Sequence, residues 1–542
     1  MAEFGLINWI VLIVYFFGML YIGVIYGKGN KTTEDYFLGS RQIPWWAIGL
    51  SVMATQCSAV SFIGIPGWGY ASGLDRITYT FQFPIVVAIL MVTFIPFFYN
   101  TKVVSVYEYL EKRFGAKSRL LLAAIFLLSR GFQTAVVLFA PALALAIITG
   151  TDPNTAILMM GVFTLIYTYV GGMNAVIWTD VIQMFIIWLG IALSILFPIF
   201  SVDGGFSHII ENGISNNLFN GLDYSLGISN SYTFWGGILG SGFLYLTYLG
   251  TDQSQVQRVL SAKSIRETKL SLSLAGFIVP IQTFLFLFAG ICLFSAYNGK
   301  SFENSDYVML TFITQTLPVG IAGLVTAGVF AAGMSSVASA LNSLATVTVN
   351  DFYKKIYPEA SDTKCLKVSK YMTLFWGVFS TLFALCLGGL GTVLDIINIL
   401  GPLFYPCMLS TYVLAVFCKK GNEKGCIAAV LSGLAIDLYM FLFTSVGSLW
   451  WCFIGFVFAF AVGYIVSIIT NKDPEVDPAK EFSFETAVGS ELTINNVVRL
   501  AMEKKIAEKD SSGYYVVPGK MDKIGYVLIA FFVVQCVILT VI

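Results

Sequence analysis

Charged residues are scarce in this chain. Asp, Glu, Lys and Arg make up 11% of its 542 residues, against about a quarter in soluble domains. Basic and acidic residues number 31 each, so the formal net charge is zero, and that balance points to no nucleic-acid partner. The single histidine, His208, falls in a predicted outer loop, which argues against zinc chemistry and histidine-based acid–base catalysis. Nine cysteines are scattered, mostly within apolar segments, in no metal-ligand or disulfide spacing. A Walker motif is missing, and no nucleophile–base pair is apparent, so an enzyme is not expected. The N-terminus lacks a basic region and a cleavage site, so the first helix is expected to stay as an anchor. Long polar stretches are rare too. Only 471–520 qualifies, which leaves no room for a large soluble domain.

Hydrophobic residues, 57% of the chain, fill the remaining space. They form recurring runs of about 18 residues or more, each of which reads as a transmembrane helix. About fourteen spans are predicted, near 6–27, 43–72, 78–100, 118–149, 153–170, 174–200, 231–260, 267–296, 306–350 (part of it an outer loop helix), 368–388, 391–418, 424–445, 449–470 and 521–542. The fold class is therefore all-α and polytopic, with the lipid bilayer as its surroundings. Basic residues set the orientation. Lys28, Lys31 and Arg41 follow the first span, and Lys112, Arg113, Lys117 and Arg119 the third. Arg258, Lys263, Arg266 and Lys269 follow the seventh, and Lys354, Lys355, Lys364 and Lys367 the ninth. The alternate loops 150–153, 201–230 and 389–392 hold no Lys or Arg, with Arg76 and Lys300 as lone exceptions in two others. Both termini are expected outside and 471–520 inside, with Leu492–Lys509 as an amphipathic surface helix.

One stretch dominates the reading: Ser51 to Gly73, SVMATQCSAVSFIGIPGWGYASG. It is long enough to cross a bilayer, yet Thr55, Gln56, Ser58 and Ser61 crowd its middle, and Gly64, Pro66, Gly67 and Gly69 loosen its second half. An unmade backbone hydrogen bond in hydrocarbon costs several kcal/mol, so freed carbonyls there need another partner, a cation or a polar solute. The stretch reads as a broken helix lining a site at mid-membrane, or as a packed helix whose hydroxyls bond back to its own carbonyls. Spans two to six and seven to eleven form two blocks of five with opposite orientation. The second block also opens on a glycine-interrupted span, TFWGGILGSGFLYLTYLGTDQ. Paired interrupted helices in inverted halves point to a secondary transporter.

Polar side chains inside a membrane are functional candidates by default. The densest cluster is FAAGMSSVASALNSLATVTVNDFYKK, where Ser335, Ser339 and Asn342 share one helical face. Two hydroxyls there, with carbonyls from the broken span, would suit a hard cation such as Na+. Helix packing through small residues explains the same composition equally well. Asp180, near the inner end of the sixth span, would hold a cation or a proton, or would be a hydrogen-bonded carboxylate at the membrane edge. Arg130, about twelve residues into the fourth span, needs a partner. A substrate carboxylate is one, and a structural pair with Asp252 or Asp395 is the other.

These pieces together match a family. ATQCSAVSFIGIPG, VYEYLEKRFG, YTYVGGMNAVIWTDVIQ, GTDQSQVQRVLSAKS and AAGMSSVASALNSLATVTVNDFYK occur in order between residues 50 and 355, and the chain resembles the sodium:solute symporter family. Its members take up sugars, proline, sialic acid, monocarboxylates, vitamins and iodide. The resemblance implies the leucine-transporter fold, a five-plus-five inverted repeat. It also implies a sodium site at Ala54, Cys57, Ala332, Ser335 and Ser336. A second Na+ site of the family's sialic acid transporters would fall on Asp180 and Ser339, but Ala338 stands where another serine is expected. The galactose transporters use a Gln at Ser61, a Glu near Thr80 and an Asn near Tyr245, so the sugar set is largely absent. The sialic acid branch places polar residues at Gln56, Ser58, Ser61 and Gln82, and SIRETKLSL also looks like that branch. Its carboxylate-binding Arg aligns with Gln133, one turn from Arg130. Tyr248 resembles the family's aromatic inner gate.

The expected organisation is an extra N-terminal helix and loop (1–42), a first inverted repeat (43–200), an outer loop (201–230) and a second repeat (231–418). Two extra helices (419–470), a cytoplasmic linker (471–520) and a C-terminal helix (521–542) complete it. The expected activity is Na+-coupled import of a small polar solute across the cell membrane by alternating access. An organic acid, sialic acid or a monocarboxylate, is the first choice. A sugar or polyol is the second, and a Na+-gated channel or sensor is the reading of another class.

Overall fold

The hydrophobic runs have to satisfy their own backbone groups, and the chain does so with helices. In the computed structural model, residues 4–27, 29, 31–387, 393–470, 484, 487–503 and 513–541 are described. Among them the only pairing of β type is one parallel bridge, Ile43 to Ala262. The longer helices are α1 (Leu6–Gly27), α2 (Trp45–Gln56), α3 (Ala59–Ser72), α4 (Phe83–Val92), α5 (Ala116–Thr149) and α6 (Pro153–Ser201). The second half of the chain holds α7 (Gly242–Gly250), α8 (Gln253–Val259), α9 (Ile265–Ala296), α10 (Ile321–Val347) and α11 (Asp362–Leu387). It ends with α12 (Val393–Phe417), α13 (Glu423–Phe443), α14 (Ser448–Thr470) and α15 (Lys523–Val541). Ten described helices are long and apolar enough to cross a membrane, or up to eleven with the bent pair α2–α3 taken as one span.

Several expected spans change form. The predicted span 43–72 is two helices bent by 67°, with Cys57 (φ −78, ψ 89) and Ser58 (φ −80, ψ 167) outside helical geometry. The predicted spans 153–170 and 174–200 run together as α6. At 49 residues and 1.5 Å per residue it would be about 74 Å long, more than twice a bilayer core. Gly172 divides it, at φ 57 and ψ −155, a conformation open to glycine alone. The predicted span 231–260 becomes a π-helical turn (Gly236–Ser241), α7, a break at Thr251–Asp252, and α8. The outer part of 306–350 is a separate short helix, Tyr307–Thr311, before α10. Of the predicted surface helix Leu492–Lys509, Ile494–Glu503 is helical, while 504–509 and 471–483 lie outside the described residues.

The expected inner-loop charges are only partly in loops. Arg258 is fully buried on α8, and Lys269 is buried on α9, 3.2 Å from Asp522. Arg119, at the start of α5, is buried 2.6 Å from both Asp351 and Glu111. These cations are paired because an unpaired buried charge costs several kcal/mol.

The core is α10, buried along almost its whole length, with α6 and α5 packed most closely on it and α1, α11, α2 and α3 completing its surroundings. Helices α3 and α9 approach backbone to backbone. A Cβ at Gly69 would sit 2.1 Å from the Leu287 carbonyl oxygen, and one at Gly290 would sit 2.1 Å from that of Pro66. Close approach through small residues is how membrane helices gain packing energy without a hydrophobic drive. Gly69→Ala or Gly290→Ala should therefore destabilise the fold by about 1–3 kcal/mol, the usual range for overpacking. Gly18→Ala, where nothing lies within 4 Å, should be silent. Thermal unfolding of the detergent-purified variants, followed by size-exclusion chromatography, checks both.

Candidate functional site

The break between α2 and α3 changes the partners of the carbonyls of Met53 to Gln56. Cys57 N–H donates to Met53 O (2.9 Å) and Ser58 N–H to Gln56 O (3.1 Å). The other two look across to α10. Ser335 Oγ donates to Ala54 O at 2.9 Å, and Ser336 Oγ to Thr55 O at 3.0 Å. Both hydroxyls also lie within reach of Ala332 O, at 3.0 and 3.3 Å. Five neutral oxygens thus converge, three carbonyl and two hydroxyl, all on buried residues. Four of the five predicted sodium residues are in this group. The fifth, Cys57, sits at the break and lines the neighbouring cavity beside Ser336, and the Thr55 carbonyl joins the four. Sequence reading noticed Thr55 only as a polar side chain. That hydroxyl is turned back onto Ser51 O at 2.8 Å, which leaves the carbonyl as the useful group.

Asp180 is fully buried, and Ser51 Oγ donates to it at 2.5 Å. The Arg258 guanidinium lies 3.5 Å away. Arg258 Nε donates to Ser51 Oγ at 2.8 Å, and its other nitrogens donate to Ser339 Oγ and the Ser254 carbonyl. Ser339 closes the ring with Thr55 Oγ1 at 2.9 Å. Sequence reading missed Arg258 entirely, since its neighbours Lys263, Arg266 and Lys269 made it resemble loop charge.

Beside the five oxygens lies a cavity of about 230 Å³. Gln56, Ser58 and Ser61 line it from the break, Arg130 and Gln133 from α5, and Tyr245 and Tyr248 from α7. Ser58 N-caps α3, accepting from Ser61 N–H at 3.4 Å, so its place follows from the break itself. Tyr248 O–H reaches Thr55 O at 3.4 Å, and the ring stacks on Tyr405 at 6.3 Å between centroids. Gln82 departs from expectation: its amide donates to Tyr79 O at 3.0 Å, and it is not among the cavity-lining residues.

Arg130 has the structural partner. Its Nη1 is 3.7 Å from Asp252 and 3.3 Å from Gln133 Oε1, and its Nη2 donates to Ser254 Oγ at 2.7 Å. The other candidate, the Asp395 side chain, lies outside the described residues. The pairing does not exhaust the helix. Among the described residues, Arg130 Nε and Gln133 Nε2 are buried donors with no hydrogen-bond partner. Gln56 Oε1 and Thr80 Oγ1, also on cavity-lining residues, are likewise unpartnered. Buried polar atoms are nearly always satisfied, so a cavity with several such atoms is built for a polar ligand.

Residues 36–433 match the model of the sodium:solute symporter family. The chain is 32% identical to the sodium/sialic acid symporter SiaT of Proteus mirabilis, over 90% of this chain and 99% of that one. It is also 32% identical to a sodium/glucose cotransporter of Vibrio parahaemolyticus, over 78% and 83%. Among solved structures it resembles a Na+-coupled sialic acid symporter in a substrate-bound, outward-open state. That match has a TM-score of 0.81 and 30% identity, and covers 89% of this chain and all of that one.

The Arg130–Asp252 pair makes a separable claim. Asp252→Asn leaves a buried guanidinium without its counter-ion and should cost about 3 kcal/mol, the low end for a broken buried pair, since Arg130 keeps 12% of its side-chain exposure. Arg130→Gln with Asp252→Asn removes both charges and should recover most of that loss. Thermal stability of the two purified variants decides it.

Proposed function

The chain belongs to the sodium:solute symporter family, and on that footing we propose that the solute it imports with Na+ is a polyhydroxylated organic acid of the sialic acid type. One observation carries this. The orphaned groups of the cavity come in two kinds on different elements: donors on α5, from Arg130 and Gln133, and acceptors across from them, from Gln56 and Thr80. A carboxylate satisfies the first set and sugar hydroxyls the second. A simple monocarboxylate leaves the acceptors unmet. The similarity to sialic acid symporters supports the same choice. A neutral sugar or polyol is the second reading, because Asp252 already compensates the charge of Arg130.

The architecture we infer is fourteen transmembrane helices in a plasma membrane, ten of them a leucine-transporter-type inverted repeat over 43–200 and 231–418. Counting α6 as two spans, α2–α3 as one, and adding the α7 region and α12 supports that number. Both repeats open on a broken helix, at Cys57–Ser58 and at Thr251–Asp252. The remaining segments, 1–42, 201–230, 419–470, 471–520 and 521–542, are additions to that core, and the loop charges favour both termini outside.

Transport then follows from the site. Na+ is a cargo whose oxygens would be Ala54, Thr55, Ala332, Ser335 and Ser336, linking the broken helix to α10. Solute in the adjoining cavity touches Gln56, next to Thr55, and Ser58, three residues on, so each ligand orders the segment the other needs. A cation crossing the membrane gains about 2.3 kcal/mol per 100 mV, plus its concentration gradient, which permits accumulation without ATP.

Two outcomes are expected in proteoliposomes. Ser336→Ala removes one neutral ligand and should raise the Na+ concentration for half-maximal uptake about fivefold, equivalent to roughly 1 kcal/mol. The second outcome uses the charge-balanced Arg130→Gln, Asp252→Asn background. There, binding of N-acetylneuraminate should fall tens-fold, the equivalent of about 2–3 kcal/mol for hydrogen bonds to a charged group. Binding of glucose should barely change. Uptake of glucose but not of N-acetylneuraminate by the wild type, with an inward Na+ gradient, would move the assignment to sugars.

A further inference from the structure

The described parts of the tail between the last two spans are docked onto the helix bundle. We infer that segments 487–503 and 513–522 form a strap across the cytoplasmic exit of the cavity, so that the tail is a built-in brake on release of cargo to the inside. The inference rests on the transport reading above and adds a regulatory element to it.

The exit is closed by a short helix, Val106–Arg113. It hangs from α8: Val106 N–H donates to Gln253 Oε1 and Gln253 Nε2 to Val104 O, both at 2.9 Å. Gln253 follows Asp252, the counter-ion of the cavity's Arg130. Tyr107 and Tyr109 on this short helix are fully buried. Its other end belongs to a different group of helices. Arg113 Nε donates to Ala415 O at 3.0 Å and its Nη2 to Cys418 O at 2.6 Å, which caps α12. Glu111 takes Arg119 of α5. Cargo leaving inward has to part the α8 side from the α5–α12 side.

The strap spans both sides. On the α5–α12 side, Tyr109 O–H donates to Leu492 O at 3.0 Å. The helix Ile494–Glu503 that follows buries Asn496 and Val497 and turns Asn495 and Arg499 outward. On the α8 side the strap meets the inner continuation of α4 and the start of α9. Asn100 Nδ2 donates to Val516 O at 2.5 Å and Lys269 Nζ to Tyr515 O at 3.1 Å, with Asp522 3.2 Å from that ammonium. These elements are joined to the turn after α8, because Tyr99 O–H donates to Lys263 O at 3.1 Å. A Cβ at Gly519 would be 3.2 Å from the Val498 side chain, so the two segments of the strap touch each other.

One contact completes a helix. Pro96 has no N–H to give the Val92 carbonyl four residues back, and the chain breaks there at Thr93 (φ −109, ψ −93). Gly519 N–H fills the place, donating to Val92 O at 2.6 Å. Moving the inner end of α4 away from α12 therefore strips a partner from Val92 O or from Tyr109, and buried polar groups are rarely left so. Contacts made only while the exit is shut shift the equilibrium towards the shut state.

Cys57 reports on the exit, since it lines the cavity and is itself buried. Its labelling by a membrane-impermeant maleimide is followed by peptide mass spectrometry in Na+-free vesicles, inside-out and right-side-out. Asn100→Ala with Tyr109→Phe removes two ties, and the charge-balanced Lys269→Met with Asp522→Asn removes a third. Each pair should raise labelling from the cytoplasmic face about fivefold, the net effect of one hydrogen bond on an equilibrium, without raising it from the outer face. Arg499→Ala, on the outward side of the strap, should match wild type. Unchanged cytoplasmic labelling in both folded double variants, or an equal rise from both faces, would make the strap packing alone and overturn the brake. Absence of any Na+-driven uptake by the wild type, of N-acetylneuraminate or of glucose, would overturn the transport reading instead.

Discussion

A helix broken inside a bilayer leaves peptide carbonyls with no water to receive them. That constraint organises this molecule. Between α2 and α3 four carbonyls are at stake, and two are closed by the adjacent chain. The other two are met by Ser335 and Ser336 of α10, with Tyr248 O–H also reaching Thr55 O. Burial of α10 on nearly every face follows: a helix that must hold two hydroxyls in register cannot also face lipid. The glycine contacts of α3 with α9 serve the same end, since they fix the far half of the broken helix.

Charge inside the membrane is handled by local pairing. Arg258 answers Asp180, Arg130 answers Asp252, and Arg119 answers Asp351. The three pairs differ in what else they do. Arg119 is near the end of the bundle and also takes Glu111. Arg258 is sealed. Arg130 alone faces the cavity, so a pair that first looks merely structural also offers a cavity edge. The two readings of Arg130, a structural pair or a solute contact, are compatible: Asp252 holds one side of the guanidinium while Nε stays free.

How much of this was legible in the sequence depends on scale. The break was readable because Thr55, Gln56 and Ser58 have no reason to sit in a lipid-facing helix. The serine pair on α10 was readable for the same reason. The fifth and sixth spans were readable as two, and what the pattern hid is how short their connection is, a single glycine outside helical geometry at Gly172. Arg258 was misread because the charge rule for loops concerns clusters near span ends, and α8 is a seven-residue helix folded back among them. Thr55 was noticed for its side chain and not for its carbonyl, since the exact residue at which a helix stops is beyond pattern reading.

The bridge between Ile43 and Ala262 has a mechanical meaning. Ile43 precedes α2, and Ala262 follows α8, so the strands of backbone that meet are the ends of two half-helices farthest from their breaks. Gln257 adds a second tie, donating to Phe37 O at 2.7 Å, and Arg258 with Ser51 a third. Two half-helices about two hundred residues apart in the sequence are thus stitched into one lever, while their other halves, α3 and α7, are held by different neighbours. A lever pinned at its base and severed at mid-length pivots as a unit. Whatever closes one of the broken helices must drag the other with it.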